Sequence, residues 1–481
     1  MAGPSGSWSG VITQGDSDIK YTAIADGFGR FWTSYVLPLG ERSEGSDGTT
    51  FWSRDINGNV SIEPAMRRRS FGSRLLGYNA PLYDDALVWT LDGTTLLDGR
   101  QTYKLRTSIA KRDAVFYLDV KTALVDGVDI AGRTIRYPVY GRFGSLFVPT
   151  RILESEDGVS VMTTVDSVSF EAPPLSSFSA PAPRRPEFPP GRSDVSLDFE
   201  SPRSLIVVNV QINGSNAKFL IDSGSSSSLI DRDEATSLGL PTAGSVRVAA
   251  AKLLVGTVAR ADTLDVGGVR FHPFVFQAVP LGLPSSIRGY GIKGILGFDV
   301  LAQVVARIDY GRARLRLIAP TSFTYAGTGS VIALDSTSRV PRVPATIGEK
   351  DPVTFTVDTG SDAGLILYQD FAQSHQRDFL RPGDLASEAC GPLGCSGDVS
   401  SFFGDLTQAN GAGGSIHVKT GYVSRVSLGG FAVAHVFTEI VLQPTGAFVP
   451  TQSDGLLGAG VLSRFAAVFL DYPSGRFILE R

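Results

Sequence analysis

The sequence predicts a mainly β protein in which an antiparallel sheet domain precedes a duplicated C-terminal region. Three observations carry that reading. Short Val/Ile/Phe/Thr-rich runs alternate with turns throughout a chain holding 54 glycines in 481 residues, a rhythm that belongs to strands rather than long helices. A proline-dense stretch at 171–193 (EAPPLSSFSAPAPRRPEFPPGRS) interrupts that rhythm. Beyond it, five landmarks appear twice in the same order, as an internal repeat requires.

Composition sets the outer limits. A hydrophobic content of 42% with 19% charged residues describes a folded chain, since disorder requires fewer apolar groups and more net charge. The length exceeds one ordinary core, so two or three domains are expected. The net charge of −4 comes with no basic stripe interleaved with aromatics, which leaves nucleic-acid binding without an electrostatic footprint. No apolar run approaches the roughly 18–20 residues that span a bilayer. The N-terminal MAGPSGS has neither the basic nor the apolar region of a signal peptide. His272, His375, His417 and His435 do not group with cysteines or carboxylates at ligand spacing, so neither a metal nor a cofactor is expected.

The first element is an N-terminal domain over 1–170. Period-two alternation at 103–107, 115–120 and 145–152, with turn signals at Asp92-Gly93, Asp98-Gly99 and Asp126-Gly127, reads as a meandering antiparallel sheet. Trp8, Trp32, Trp52 and Trp89 all fall here and are read as core residues, the alternative being a tryptophan-lined groove. The stretch 171–196 follows as a linker, because dense proline removes backbone donors and favours extended, solvated chain. Its Arg184-Arg185 pair is either a processing site or an exposed basic pair.

The first copy of the repeat begins at 205–214 (LIVVNVQING), runs through Phe219-Leu220-Ile221-Asp222-Ser223-Gly224-Ser225 and closes on Ile295-Leu296-Gly297. The second begins at 340–348 (VPRVPATIG), runs through Phe355-Thr356-Val357-Asp358-Thr359-Gly360-Ser361 and closes on Leu456-Leu457-Gly458. Each then ends in an aspartate–aromatic turn and a last strand, Asp309-Tyr310 and Asp471-Tyr472. Brief helices are expected at 232–238 and after each closing glycine, and 311–339 carries the chain from one copy to the next.

A single Asp-Ser/Thr-Gly triplet is weak, because about one chain of this length in five carries one by chance. Here the triplet occurs in both copies, each time ending an apolar strand, where a carboxylate is costly unless hydrogen-bonded or shared. The glycine lets the backbone turn sharply and approach the other loop; the Ser/Thr hydroxyl can bond across to it. Two such loops facing each other place Asp222 and Asp358 within hydrogen-bond reach. Like charges that close cannot both ionise, so the pair holds one proton over a broad acidic range. The ionised member can deprotonate a water and the protonated one can polarise a scissile carbonyl. The bland alternative is two strand-end aspartates that cap turns.

Asp222-Ser223-Gly224-Ser225 and Asp358-Thr359-Gly360-Ser361 resemble the catalytic loops of pepsin-like and retropepsin-like aspartic peptidases. The Gly297 and Gly458 segments resemble the strand that passes beneath those loops in a ψ-shaped arrangement. The resemblance covers about 200–481 and implies a bilobal β fold, with lobes at 197–320 and 321–481 and one active site in the cleft. It implies a single-chain endopeptidase, monomeric with an intrachain pseudo-dimer, that binds peptide in extended form and needs no metal or organic cofactor. By the same carry-over, Ser225 and Ser361 hydrogen-bond the outer oxygens of their aspartates. The lobes are short, and 244–257 has no aromatic where a pepsin flap presents a tyrosine, so glycine- or alanine-rich hairpin flaps are expected there and at 404–420. The alternative on the same scaffold is a non-catalytic peptide- or lipid-binding protein.

Residues 103–152 loosely resemble the curved sheet of Lol-type lipoprotein carriers. Cys390 and Cys395, separated by Gly-Pro-Leu-Gly, lie close enough for a small disulfide, the alternative being two free buried thiols. That bond implies an oxidising compartment and hence export to the periplasm, cell surface or medium.

Overall fold

The structure, a computed structural model, describes residues 5–14, 17–26, 30–64, 87–109, 112–144, 146–156, 158–348, 351–375, 378–379, 406–442 and 453–481. Cys390 and Cys395 lie outside these residues. The chain divides into two compact units, Met1–Pro183 and Arg184–Arg481, and both are mainly β. Among the described residues no helix is long and apolar enough to cross a membrane, and no group of His, Cys, Asp or Glu is arranged to hold a metal ion.

The first unit carries a fourteen-stranded sheet among its described residues. One antiparallel meander runs from Gly6–Gln14 to Val60–Pro64 and a second from Thr90–Leu97 to Val159–Thr164. Their first and last strands join them, with Ile12 opposite Thr163. The alternation of apolar side chains puts Phe116, Val128, Ile135 and Tyr137 into one buried cluster and Tyr21, Ala23 and Tyr35 into another. Of the four tryptophans expected in the core only Trp52 is fully buried; Trp8, Trp32 and Trp89 are half-buried. The Trp52 indole N–H donates to the Phe178 carbonyl at 3.0 Å, which satisfies its single polar atom.

That bond already shows that the proline-rich stretch is not free, solvated chain. Phe178 is buried. On the far side, Glu187 makes a reciprocal backbone bridge to Arg270, both bonds 2.8 Å, and Phe188 packs on the core of the second unit. The Arg184 guanidinium donates to the Pro273 carbonyl. Proline removed donors only at its own positions; the residues between still found partners.

In the second unit the first copy folds into a nine-stranded sheet and the second into a seven-stranded one. A six-stranded sheet draws on both, in the order Asp194–Asp198, Arg314–Ile318, Val305–Asp309, Ala467–Asp471, Arg476–Glu480, Ser330–Ala333. Its central pair is antiparallel, with Val305 opposite Asp471 and Ile308 opposite Val468, so each half of this sheet repeats the other. The stretch 311–339 therefore does more than connect the copies: it supplies two of these strands. One apolar cluster runs through all three sheets, with Phe219, Leu296, Ile308, Phe355, Leu457 and Leu470 among its members. Short helices occupy Arg232–Ser237, Phe298–Leu301 and Ala459–Leu462, where the sequence placed them.

Candidate active site

Two buried strands end at the aspartates. Ser215–Ile221 lies parallel to Ile292–Leu296, with Ile221 opposite Leu296, and Leu229–Asp231 returns antiparallel on the same segment, Leu229 opposite Ile295. The second copy repeats this. Asp351–Asp358 runs parallel to Gly455–Gly458, with Val357 opposite Leu457, and Leu365–Tyr368 returns with Leu365 opposite Leu457. Each aspartate loop thus arches over one central strand that pairs with both of its arms.

Glycine is required where these pieces cross. A Cβ on Gly297 would lie 2.5 Å from the Ser225 carbonyl oxygen, and one on Gly458 would meet the Ala363 and Ser361 carbonyls. With no side chain in the way, the Phe298 N–H donates to Ser225 O at 3.0 Å and the Ala459 N–H to Ser361 O at 2.7 Å. Gly224 and Gly360 face the opposite aspartates: a Cβ on Gly224 would lie 2.6 Å from the Asp358 carboxyl carbon, and one on Gly360 would clash with that of Asp222.

The two loops are bonded to one another. Ser223 N–H donates to Thr359 Oγ1 (3.0 Å) and Thr359 N–H to Ser223 Oγ (3.1 Å). Each hydroxyl in turn donates to the strand behind the other loop, Ser223 to Val357 O (2.7 Å) and Thr359 to Ile221 O (3.0 Å). All four bonds are buried, where an unmade one costs about 1–3 kcal/mol, so the relative position of the aspartates is strongly determined.

The Asp222 and Asp358 carboxyls are hydrogen-bonded to each other. Each keeps an open edge and is half-buried by exposed area, yet protein surrounds it closely enough for desolvation to dominate its titration. Burial, then the Asp358 charge, holds Asp222 well above the usual carboxylate range; burial also raises Asp358. Backbone N–H groups oppose this rise, from Gly224 and Ser225 on Asp222 and from Gly360 and Ser361 on Asp358.

Those contacts define how Ser225 meets its aspartate. Its N–H reaches Asp222 Oδ1 at 3.1 Å, while its hydroxyl donates to Ser227 O at 2.7 Å. The tight loop presents the amide to the carboxylate and turns the side chain back along its own strand. Ser361 likewise meets Asp358 through its backbone N–H.

Sequence reasoning missed a ring of supporting groups. Arg339, ahead of the second copy's first strand, reaches back to the first copy. It donates to Ser226 O at 3.1 Å and to Asp299 Oδ1 at 2.9 Å and lies over the Phe298 ring. Arg203, ahead of the first copy's first strand, forms the counterpart ion pair with Asp362 beside the second loop. Both arginines have left-handed backbone, φ 67° and 53°. Their equivalent spacing before each repeat was the available signal. Glu439 lies near Asp362 and Arg203; burial and then Asp362 push its carboxyl up to about 7, Arg203 partly opposing.

Two hairpins occupy the expected flap positions, Thr242–Ala249 with Leu253–Ala261 and Leu406–Gly411 with Gly414–Leu428. Their tips touch through one bond, Ala251 N–H donating to Ala412 O at 3.1 Å, and the second tip also reaches the segment after Phe274–Val279, Gly413 N–H donating to Leu281 O at 2.9 Å. Small residues permit this approach, since a Cβ on Gly413 would sit 2.8 Å from Leu254 Cδ2.

A family model described as aspartyl protease matches residues 208–300, a segment that holds Asp222 and Gly297. No curated protein matches the chain. Among solved structures, a LolA superfamily protein from Nitrosomonas europaea is 11% identical, covering 37% of this chain and 90% of its own at a TM-score of 0.30. A DUF1329 family protein from Desulfovibrio piger is 14% identical over 35% of this chain and 86% of its own, TM-score 0.27. Basic 7S globulin from soybean is 13% identical over 60% of this chain and 95% of its own, TM-score 0.34.

Proposed function

We propose that residues 197–481 form a bilobal, pepsin-like aspartic endopeptidase, with lobes at 197–320 and 321–481 and Asp222 and Asp358 as its catalytic pair. The observation that carries this reading is the hydrogen-bonded pair of carboxyls held at the crossing of two mutually bonded loops. The aspartyl protease match over 208–300 and the six-stranded sheet shared by both copies support it. We assign 1–170 to an accessory sheet domain and 171–196 to the connection.

The chemistry follows from one proton shared between two carboxyls, as in known aspartic proteases. The ionised member takes a proton from a water lying between the carboxyls, and the water oxygen bonds to the scissile carbonyl carbon. The protonated member gives its proton to the carbonyl oxygen. The resulting tetrahedral diol collapses as the C–N bond breaks, the nitrogen gaining a proton and a diol oxygen losing one to the pair. No covalent enzyme intermediate forms. An extended peptide lies beneath the two hairpins and pairs with their strands.

The test is hydrolysis of a mixed peptide library from pH 3 to 7, read by mass spectrometry, for the wild type beside Asp222→Asn and Asp358→Asn. We expect cleavage by the wild type, with a maximum in the acidic range, and a loss of at least about a thousandfold in each variant. Normal cleavage by either variant would remove the pair from the chemistry. Folded wild type that binds peptides without cutting them would point to the binding protein on this scaffold.

A further inference from the structure

The two copies end in equivalent turns, Asp309-Tyr310 and Asp471-Tyr472, and both tyrosines lie near the carboxyl pair. Their hydroxyls differ. Tyr472 is buried, and its hydroxyl donates to the Ser223 carbonyl at 3.4 Å. That oxygen is its one acceptor among the described residues. The Tyr310 hydroxyl is enclosed and has no partner among them. The two rings also have different neighbours. Phe298, directly after Gly297, packs edge-on against the Tyr472 ring with centroids 5.8 Å apart, whereas the residue directly after Gly458 is Ala459. Tyr310 packs instead against Phe199, centroids 6.3 Å apart.

The Ser223 carbonyl belongs to the same peptide unit as the Gly224 N–H, and that N–H bonds the Asp222 carboxyl. We propose that Tyr472 is a positioning residue of the catalytic pair, acting through the Ser223–Gly224 peptide on Asp222, and that Tyr310 has no such part. A donor at the carbonyl end of a peptide polarises it and strengthens donation from the other end. The carboxylate form of Asp222 is therefore favoured by a hydroxyl that never touches it. The titratable groups bearing on the pair are Tyr310, Tyr368 and Tyr472, with Asp222 and Asp358 themselves; the Arg339 guanidinium lies behind Phe298, over its ring. Burial, with the Asp358 charge at Tyr310 and both aspartates at Tyr472, keeps the two tyrosines protonated at any working pH, so the donor is constant and only the carboxyls titrate.

This inference rests on the endopeptidase reading, and its test separates the two. The full-length wild type, Tyr472→Phe and Tyr310→Phe are compared by pH profiles of kcat and KM, by melting temperature, and by titration of the aspartate carboxyl carbons in 13C-labelled protein. Loss of the Tyr472 hydroxyl weakens the Gly224 bond and destabilises the Asp222 carboxylate. The lower step of the carboxyl pair then moves up by about 0.3–0.6 pH unit, and kcat on the acid limb falls about two- to fourfold with KM unchanged. Tyr310→Phe keeps the wild-type profile and melts no lower, since it removes only a hydroxyl that has no partner among the described residues. Coincident profiles for Tyr472→Phe and wild type, or an equal shift in Tyr310→Phe, would overturn the proposal. A fall in melting temperature without movement of the profile would also overturn it, leaving Tyr472 a structural residue. If the wild type cleaves nothing, the endopeptidase reading fails, and the carbon titration still decides the effect of Tyr472 on Asp222.

Discussion

At Glu439 burial, the neighbouring Asp362 carboxylate and the partly opposing Arg203 together push the carboxyl up to about 7. An acid whose folded value lies above its unfolded one binds more protons when folded, so stability falls as pH rises between the two values. Below the ordinary glutamate value near 4.5 the group costs nothing; above about 7 it costs its full amount. Glu439→Gln is therefore expected to raise the melting temperature at pH 8 and leave it unchanged at pH 4. An equal change at both would show that ionisation of this group is irrelevant to stability. Nothing in the local sequence announced Glu439, because its neighbours are 77 and 236 positions away, as 439 − 362 and 439 − 203 give. Ser225 teaches the same lesson at shorter range. Its place in the motif was legible, but whether its amide or its hydroxyl would face Asp222 depended on the turn of the loop.

The strand-and-loop elements repeat more faithfully than their supports. Both aspartate loops arch over a central strand with equivalent pairing, and both are gripped by an arginine from the opposite copy. The carboxylate that meets the arginine differs. In the first copy it is Asp299, 5% exposed, in the short helix after Gly297; in the second it is Asp362, 36% exposed, beside the loop itself. Solvent screening makes an exposed pair worth about 0–1 kcal/mol, whereas stripping a partner from a buried carboxylate costs roughly 3–5 kcal/mol. We expect Arg339→Met to lower the unfolding free energy by an amount in the second range and Arg203→Met by one in the first, measured by urea denaturation. Equal losses would mean that the two clamps are equivalent despite their burial. The flaps were legible only as glycine- and alanine-rich stretches; that their tips bond to each other required both hairpins to be in place.

Each unit of the whole molecule has its own apolar clusters, Phe116 and its neighbours or Tyr21 and Tyr35 in the first, and the large cluster through Phe219 and Phe355 in the second. Separate cores melt separately. Differential scanning calorimetry of the full chain is expected to show two transitions, of which only one moves in Arg339→Met; a single cooperative transition would contradict independent cores. The sequence by itself determined the β class, the break in the chain near 171–193, the duplication, and the two triplets with their closing glycines. These are local patterns, written in the period of apolar residues and in the few places where only glycine fits between backbones. Only the tertiary structure decided which donors reach Asp222 and Asp358, that among the described residues Tyr472 has an acceptor while Tyr310 has none, and that the proline-rich stretch is bound at both ends. Those outcomes depend on contacts between residues far apart in the chain. Buried polar groups must find partners wherever packing brings them, and a linear pattern carries no record of which partner that will be.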